Sequence, residues 1–138
     1  MFDVIPVTCK HETACGPTSL KMLLAYYGVD VDLDTLIDEC NARIIGTSGK
    51  DLLRVGRLHG LTDMVAFEMD AEELIVQDRP AIIYWTYNHW VVFCGQDENG
   101  QVVICNPKNG RYRMSQGTFK SLYTNVALFN GEPAPIGE

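Results

Sequence analysis

The sequence has no long apolar run. Its densest hydrophobic stretches, Ala81–Trp85 and Trp90–Cys94, fall far short of the roughly 18 apolar residues a membrane-spanning helix requires, so no membrane partner is expected. The amino terminus, Met-Phe-Asp-Val-Ile-Pro-Val, carries an early acid and no basic residue ahead of an apolar run. It therefore does not read as a secretory signal, and a cytoplasmic location is the expectation. Positive charge is also scarce. Eleven Lys and Arg against 18 Asp and Glu leave a net charge of −7, the wrong sign for a phosphate backbone, so nucleic acid is not an expected partner. The densest acidic group, Asp30, Asp32, Asp34, Asp38 and Glu39, reads as a solvated helix face, and the overall surplus would suit a basic peptide.

No pair of cysteines has the C-x-x-C spacing of a zinc or redox site. The cysteines number five (9, 15, 40, 94 and 105), and an odd count without a signal peptide argues against a disulfide framework. The spacing of Cys9 and Cys15, even with His11 and His89 added, does not match a usual ligand pattern, so no metal and no cofactor is expected. Cys40, Cys94 and Cys105 lie in apolar or helical settings and read as core residues. Cys15 has different neighbours.

What is present suits a folded globular domain. A chain of 138 residues, 46% hydrophobic and 21% charged, is large enough for one core without staples, and residues 1–130 read as a single domain. Helices are expected over Gly16–Tyr27, Asp34–Asn41 and Gly49–His59, capped in the second case by Asp32 or Asp34 and in the third by Ser48. A short strand is expected over Thr62–Phe67 and a short helix over Ala71–Gln77. Beyond Pro80, the segments Ala81–Thr86, His89–Gly95 and Val102–Asn106 are rich in Val, Ile and aromatic residues, with a turn at Asp97-Glu98-Asn99-Gly100. A helix over Ser115–Leu122 and a strand over Thr124–Phe129 follow. The tail, 131–138, with two prolines and two glycines, reads as frayed. Helices first and antiparallel strands second is the α+β pattern.

Cys15 opens the best helix, in the run Thr13-Ala14-Cys15-Gly16-Pro17-Thr18. Unpaired amides and the positive end of the helix dipole favour a thiolate there, and Gly16 keeps bulk away from the sulfur. A thiol nucleophile needs a base, and the chain has only three histidines: 11, 59 and 89. His59 closes the third helix and reads as a C-terminal cap. His11 lies in the loop before Cys15. His89 begins the strand run His-Trp-Val-Val-Phe, where a rigid element could hold its ring against the sulfur. One hairpin later, Asn106 precedes Pro107. Counting across the turn brings Asn106 to the level of His89 to Val92, where its amide oxygen could orient the imidazole. Trp85, Tyr87 and Trp90 could line a groove, but read more simply as core or rim aromatics.

These residues resemble the bacteriocin-processing, double-glycine peptidase family, a branch of the papain-like cysteine peptidases. The resemblance covers nearly the whole chain. It rests on Cys15-Gly16-Pro17-Thr18-Ser19-Leu20 with Leu24-Ala25-Tyr26-Tyr27-Gly28, the Leu52–Gly60 helix, Pro80-Ala81-Ile82-Ile83, His89-Trp90-Val91-Val92 and Asn106-Pro107. It implies a papain-like α+β fold, with a helical N-terminal half packed on an antiparallel sheet and the active site between them. It also implies a triad of Cys15, His89 and Asn106. Two departures stand out. Where the family usually has an aspartate before that proline, the chain has Asn106, which orients an imidazole without adding charge. Where the family has an oxyanion glutamine, six residues ahead of the cysteine, the chain has Cys9, a weak donor. Cys9 and His11 are then the candidate oxyanion donors, with Lys10 a further substitute.

Three functions are open on the sequence. The leading one is hydrolysis of a peptide or related amide bond through a thioester acyl-enzyme. Acyl transfer or deamidation would use the same nucleophile. A non-catalytic peptide-binding module would keep the groove and lose the chemistry. These 138 residues contain no nucleotide-binding segment of the kind such domains are often fused to, so a double-glycine preference does not follow automatically.

Overall fold

The computed structural model describes residues 1–42 and 46–131. A single 3₁₀ turn, Glu12–Ala14, leads into α1 (Cys15–Tyr26), followed by α2 (Leu33–Glu39) and α3 (Gly49–Leu58). Asp32 caps α2 by accepting from the Thr35 amide, and Ser48 caps α3 by accepting from that of Asp51, as short polar side chains do for orphan first-turn donors. His59 sits at the C-terminal end of α3, and its Nε2 lies 2.5 Å from Glu39 Oε1. That contact ties the ends of α2 and α3 together.

The remaining elements are β1 (Met64–Glu68), α4 (Ala71–Ile75), β2 (Ala81–Trp85), β3 (His89–Gln96), β4 (Val102–Asn106), β5 (Gly110–Met114), α5 (Gln116–Leu122) and β6 (Tyr123–Asn130). The strands form one six-stranded sheet in the order β1-β6-β2-β3-β4-β5, with every pairing antiparallel. The expected α+β class and papain-like architecture are what the structure has. The expected tail falls almost wholly on 132–138, outside the described residues. Gly131 itself donates to Asp63 O at 2.9 Å.

Helices cover both faces, which goes beyond the expected arrangement. On one face, Leu20, Leu23 and Leu24 of α1, Leu36 of α2 and Val55 of α3 pack with Ile82, Trp90 and Leu128 of the sheet. On the other, Leu74 of α4 and Phe119 of α5 pack with Ile83, Val91, Phe93, Ile104 and Phe129. Alternate residues of β3 thus enter different cores, which is why it reads as a near-continuous apolar run. The N-terminal segment lies over β3 and β4, where Val4 joins Val92, Cys94 and Cys105 in a third cluster. Cys40, Cys94 and Cys105 are fully buried.

The β3–β4 pairing sets the site. Val92 pairs with Cys105, whereas Gln96 pairs with Val102, so β3 carries one extra residue in between. Gly95, at φ +88°, takes up this bulge in a conformation that suits glycine. The shift places Asn106 at the level of Val91, inside the interval that counting across the turn gives.

Candidate active site

Cys15 is the first residue of α1 and only 4% exposed. Ala14 at the N-cap position offers no side-chain cap; Thr18 Oγ1 instead donates back to Ala14 O at 2.7 Å. The helix start is pinned to β3 at a single residue. Ser19 Oγ donates to Trp90 O at 3.2 Å, and the Trp90 backbone amide lies close enough to the Cys15 sulfur to oppose a rise in its pKa. Trp90 is in turn fixed by its indole N–H, which donates to Thr47 O at 2.9 Å. The sulfur therefore lies beside the start of β3, one residue from His89.

His89 Nε2 lies 2.7 Å from Asn106 Oδ1. The same oxygen accepts the Lys108 backbone N–H at 2.9 Å. A backbone N–H can only donate, so the Asn106 atom facing it must be the oxygen, and Nε2 must carry the imidazole proton in the neutral ring. The bare nitrogen is then Nδ1. Asn106 Nδ2 donates to Tyr112 Oη at 3.2 Å, so both ends of the amide are held. With Asn106 only 6% exposed, water competes little for the orienting bond. Trp85 stands beside the imidazole, with ring centroids 6.4 Å apart, and makes an edge contact with Tyr112 at 6.5 Å.

Cys15, His89 and Asn106 line one cleft of about 400 Å³. Cys9, Lys10, His11, Trp85, Tyr87 and Lys108 also line it. Trp90 does not; it is a buried anchor behind Cys15. Tyr87 is 90% exposed at the tip of the β2–β3 turn, where Tyr87 and Asn88 both have positive φ, 71° and 56°. Tyr84 Oη holds that turn by donating to Asn88 Oδ1 at 2.7 Å.

The candidate oxyanion donors are present but partly engaged. Cys9 Sγ donates to His11 O at 3.4 Å, and the Cys15 amide closes the 3₁₀ turn onto Glu12 O. The Gly16 amide, in contrast, faces the Cys15 sulfur. Burial pushes the Cys15 thiol above its ordinary range. The Trp90 amide opposes that rise, the nearby Cys9 adds to it, and the amides of Gly16 and Cys15 itself oppose it. Among the described residues, no three His, Cys, Asp or Glu side chains are grouped to hold a metal. None of the described helices is long and apolar enough to cross a membrane.

Tyr112 escapes a reading of the sequence because it belongs to β5. Its only local signal is the polar–aromatic–polar alternation Arg111-Tyr112-Arg113 between Gly110 and Met114. The role of the Trp90 main chain has no sequence signal at all.

Residues 4–134 match the Peptidase C39 family. The probable microcin-H47 secretion/processing ATP-binding protein MchF of Escherichia coli is 28% identical over 127 residues, which is 90% of this chain and 18% of that protein. The lactococcin-G-processing and transport ATP-binding protein LagD of Lactococcus lactis subsp. lactis is 26% identical over 135 residues, 94% of this chain and 18% of that protein. The chain thus spans under a fifth of the length of these relatives. Among solved structures, a double-glycine-motif protease from an AMS/PCAT transporter, crystallised with the leader peptide, superposes with a TM-score of 0.87 at 27% identity, covering 93% of this chain and 91% of that one. The peptidase domain of Streptococcus ComA shares the fold at a TM-score of 0.78 and 21% identity, over 91% of this chain and 96% of that one. On the match over residues 4–134, the chain belongs to the peptidase C39 family and with it to the papain-like cysteine peptidases.

Proposed function

We propose that this chain hydrolyses a peptide bond through a thioester on Cys15, with His89 as base and Asn106 as the residue that orients it. His89 Nδ1 takes the thiol proton as the sulfur attacks the carbonyl carbon. The tetrahedral intermediate collapses, and the imidazolium returns the proton to the leaving amine. Water, deprotonated by the same nitrogen, then attacks the thioester and frees the thiol. The Gly16 amide supplies one donor to the developing oxyanion, and Cys9 or His11 the second.

One observation carries this reading. The Lys108 amide and His89 Nε2 share the same Asn106 oxygen, which leaves Nδ1 bare in the cleft that Cys15 lines. The similar solved protease was crystallised with a leader peptide, so leader-type peptides containing a double glycine are the first substrates to assay, beside matched peptides without it. Products are identified by mass spectrometry, and an acid quench should trap the acyl fragment on Cys15. Cys15→Ala should abolish cleavage; cleavage that persists in this variant overturns the reading.

A non-catalytic, peptide-binding reading draws on a separate observation, the Cys9 thiol turned toward His11 O where a glutamine amide would be needed. Tight binding of a peptide recovered intact after long incubation would favour it.

A further inference from the structure

The chain as a whole is acidic, but its cleft is not. The charged residues lining it are Lys10, Lys108 and Glu12, with His11 beside them, in a protein of net charge −7. They are gathered at one end. The Cys9 amide donates to Pro107 O at 2.8 Å, so the main-chain segments that carry Lys10 and Lys108, each one residue further on, adjoin where the two walls meet. Glu12 only partly offsets them. Its carboxylate is 3.9 Å from Lys108 Nζ and 91% exposed, and Lys10 has no carboxylate within ion-pair distance among the described residues. The stretch of the lining built from Trp85, Thr86, Tyr87 and Asn88 carries no charge.

The cationic end can be assigned to one side of the scissile bond. The imidazole protonates the departing amine, so the leaving segment passes His89 and the Asn106 amide that holds it. Lys108 comes two residues later, its own N–H on Asn106 Oδ1. We infer that the cleft selects peptides with an acidic side chain, or a free carboxylate, within about three residues after the scissile bond. This rests on the hydrolytic reading above, and reverses the preference for basic peptides that net charge alone suggests.

At about 8 Å in water, one cation changes the energy of an anion enough for roughly a twofold effect, so two give about fivefold, less at high salt. A mixed peptide library digested with the protein should show Asp and Glu enriched in the three positions after the cut. Replacing such a Glu with Gln should lower kcat/KM about fivefold at low ionic strength, and Lys10→Glu with Lys108→Glu should invert the preference. A second measurement needs no turnover. The rate of Cys15 alkylation by anionic iodoacetate, relative to neutral iodoacetamide, should fall in the doubly reversed variant. Cleavage without acidic enrichment, or an alkylation ratio indifferent to the reversal, overturns the inference. If the ratio moves as expected and no peptide is cut, it is the hydrolytic reading that fails.

Discussion

A Cβ added to Gly16 would lie 2.8 Å from the Cβ of Thr47. It would also lie 3.3 Å from Trp90 Cδ1, so the first turn of α1 has no room to grow toward the loop before α3. Gly16→Ala must push the helix start away from β3 or displace Thr47 and Trp90. Overpacking of this kind costs about 1–3 kcal/mol, and urea unfolding should show it. The larger effect is expected on turnover, because Cys15 rides on the same turn. A loss of about 10- to 100-fold in kcat/KM, with the fold retained by circular dichroism, is the expected outcome, since small misplacements of a reacting group are costly.

Tyr112 should behave as a positioning residue. Its oxygen accepts from Asn106 Nδ2, and Tyr112→Phe leaves that buried donor unsatisfied. The Lys108 amide still holds the oxygen end, so the loss should be partial. We expect kcat to fall about 3- to 10-fold, the scale of a lost hydrogen bond of ~1 kcal/mol, with KM unchanged. Asn106→Ala should cost more, because it removes the oxygen that His89 Nε2 bonds. A matching fall in KM, or equal effects from both variants, would count against the assignment.

Resting Cys15 should be a neutral thiol. Burial, opposed by the Trp90 amide, leaves its pKa above the ordinary range, so thiolate is scarce near neutrality. Alkylation of Cys15 should therefore rise about tenfold per pH unit from about pH 6 to beyond pH 8.5, the unperturbed thiol value. A preformed thiolate–imidazolium pair would instead react at a level rate from about pH 5. The sign of the linked stability follows. A raised thiol pKa contributes stability that is complete below the unfolded-state value and is lost as pH climbs through the folded one. Thermal unfolding across that alkaline window checks it.

Cys9→Gln tests the oxyanion position directly. The thiol now points at His11 O, and a glutamine there would carry a stronger donor on a longer arm. Replacing a weak oxyanion donor with a strong one should raise kcat by at least about 10-fold, given losses of about 100- to 1,000-fold when a donor is removed. An unchanged kcat would show that another group already fills that role.

Much of this was legible in the chain itself. Cys15 at a helix start, His89 at the head of an apolar strand and Asn106 at the end of the next are all local patterns, and the turn at Asp97 to Gly100 ties the last two into register. The strand order was not legible. β6 enters between β1 and β2 although it follows all the other described strands in the chain, a pairing set by tertiary packing. β5 was missed because an edge strand carrying Arg111 and Arg113 lacks the apolar face that marks a strand, and Tyr112 was lost with it. The short turn at Glu12–Ala14, which engages the Cys15 amide, has no periodicity to betray it.

The hydrogen bond from the Cys9 amide to Pro107 O joins the two walls of the cleft through main chain alone. Side chains at 9, 10 and 108 can therefore be exchanged without changing the aperture they look into. Recognition can drift while the gauge of the opening stays constant, so variants of this fold could diverge widely in the peptides they select while admitting the same thickness of chain. A proline at position 9, which abolishes the donor, would release that constraint in one step.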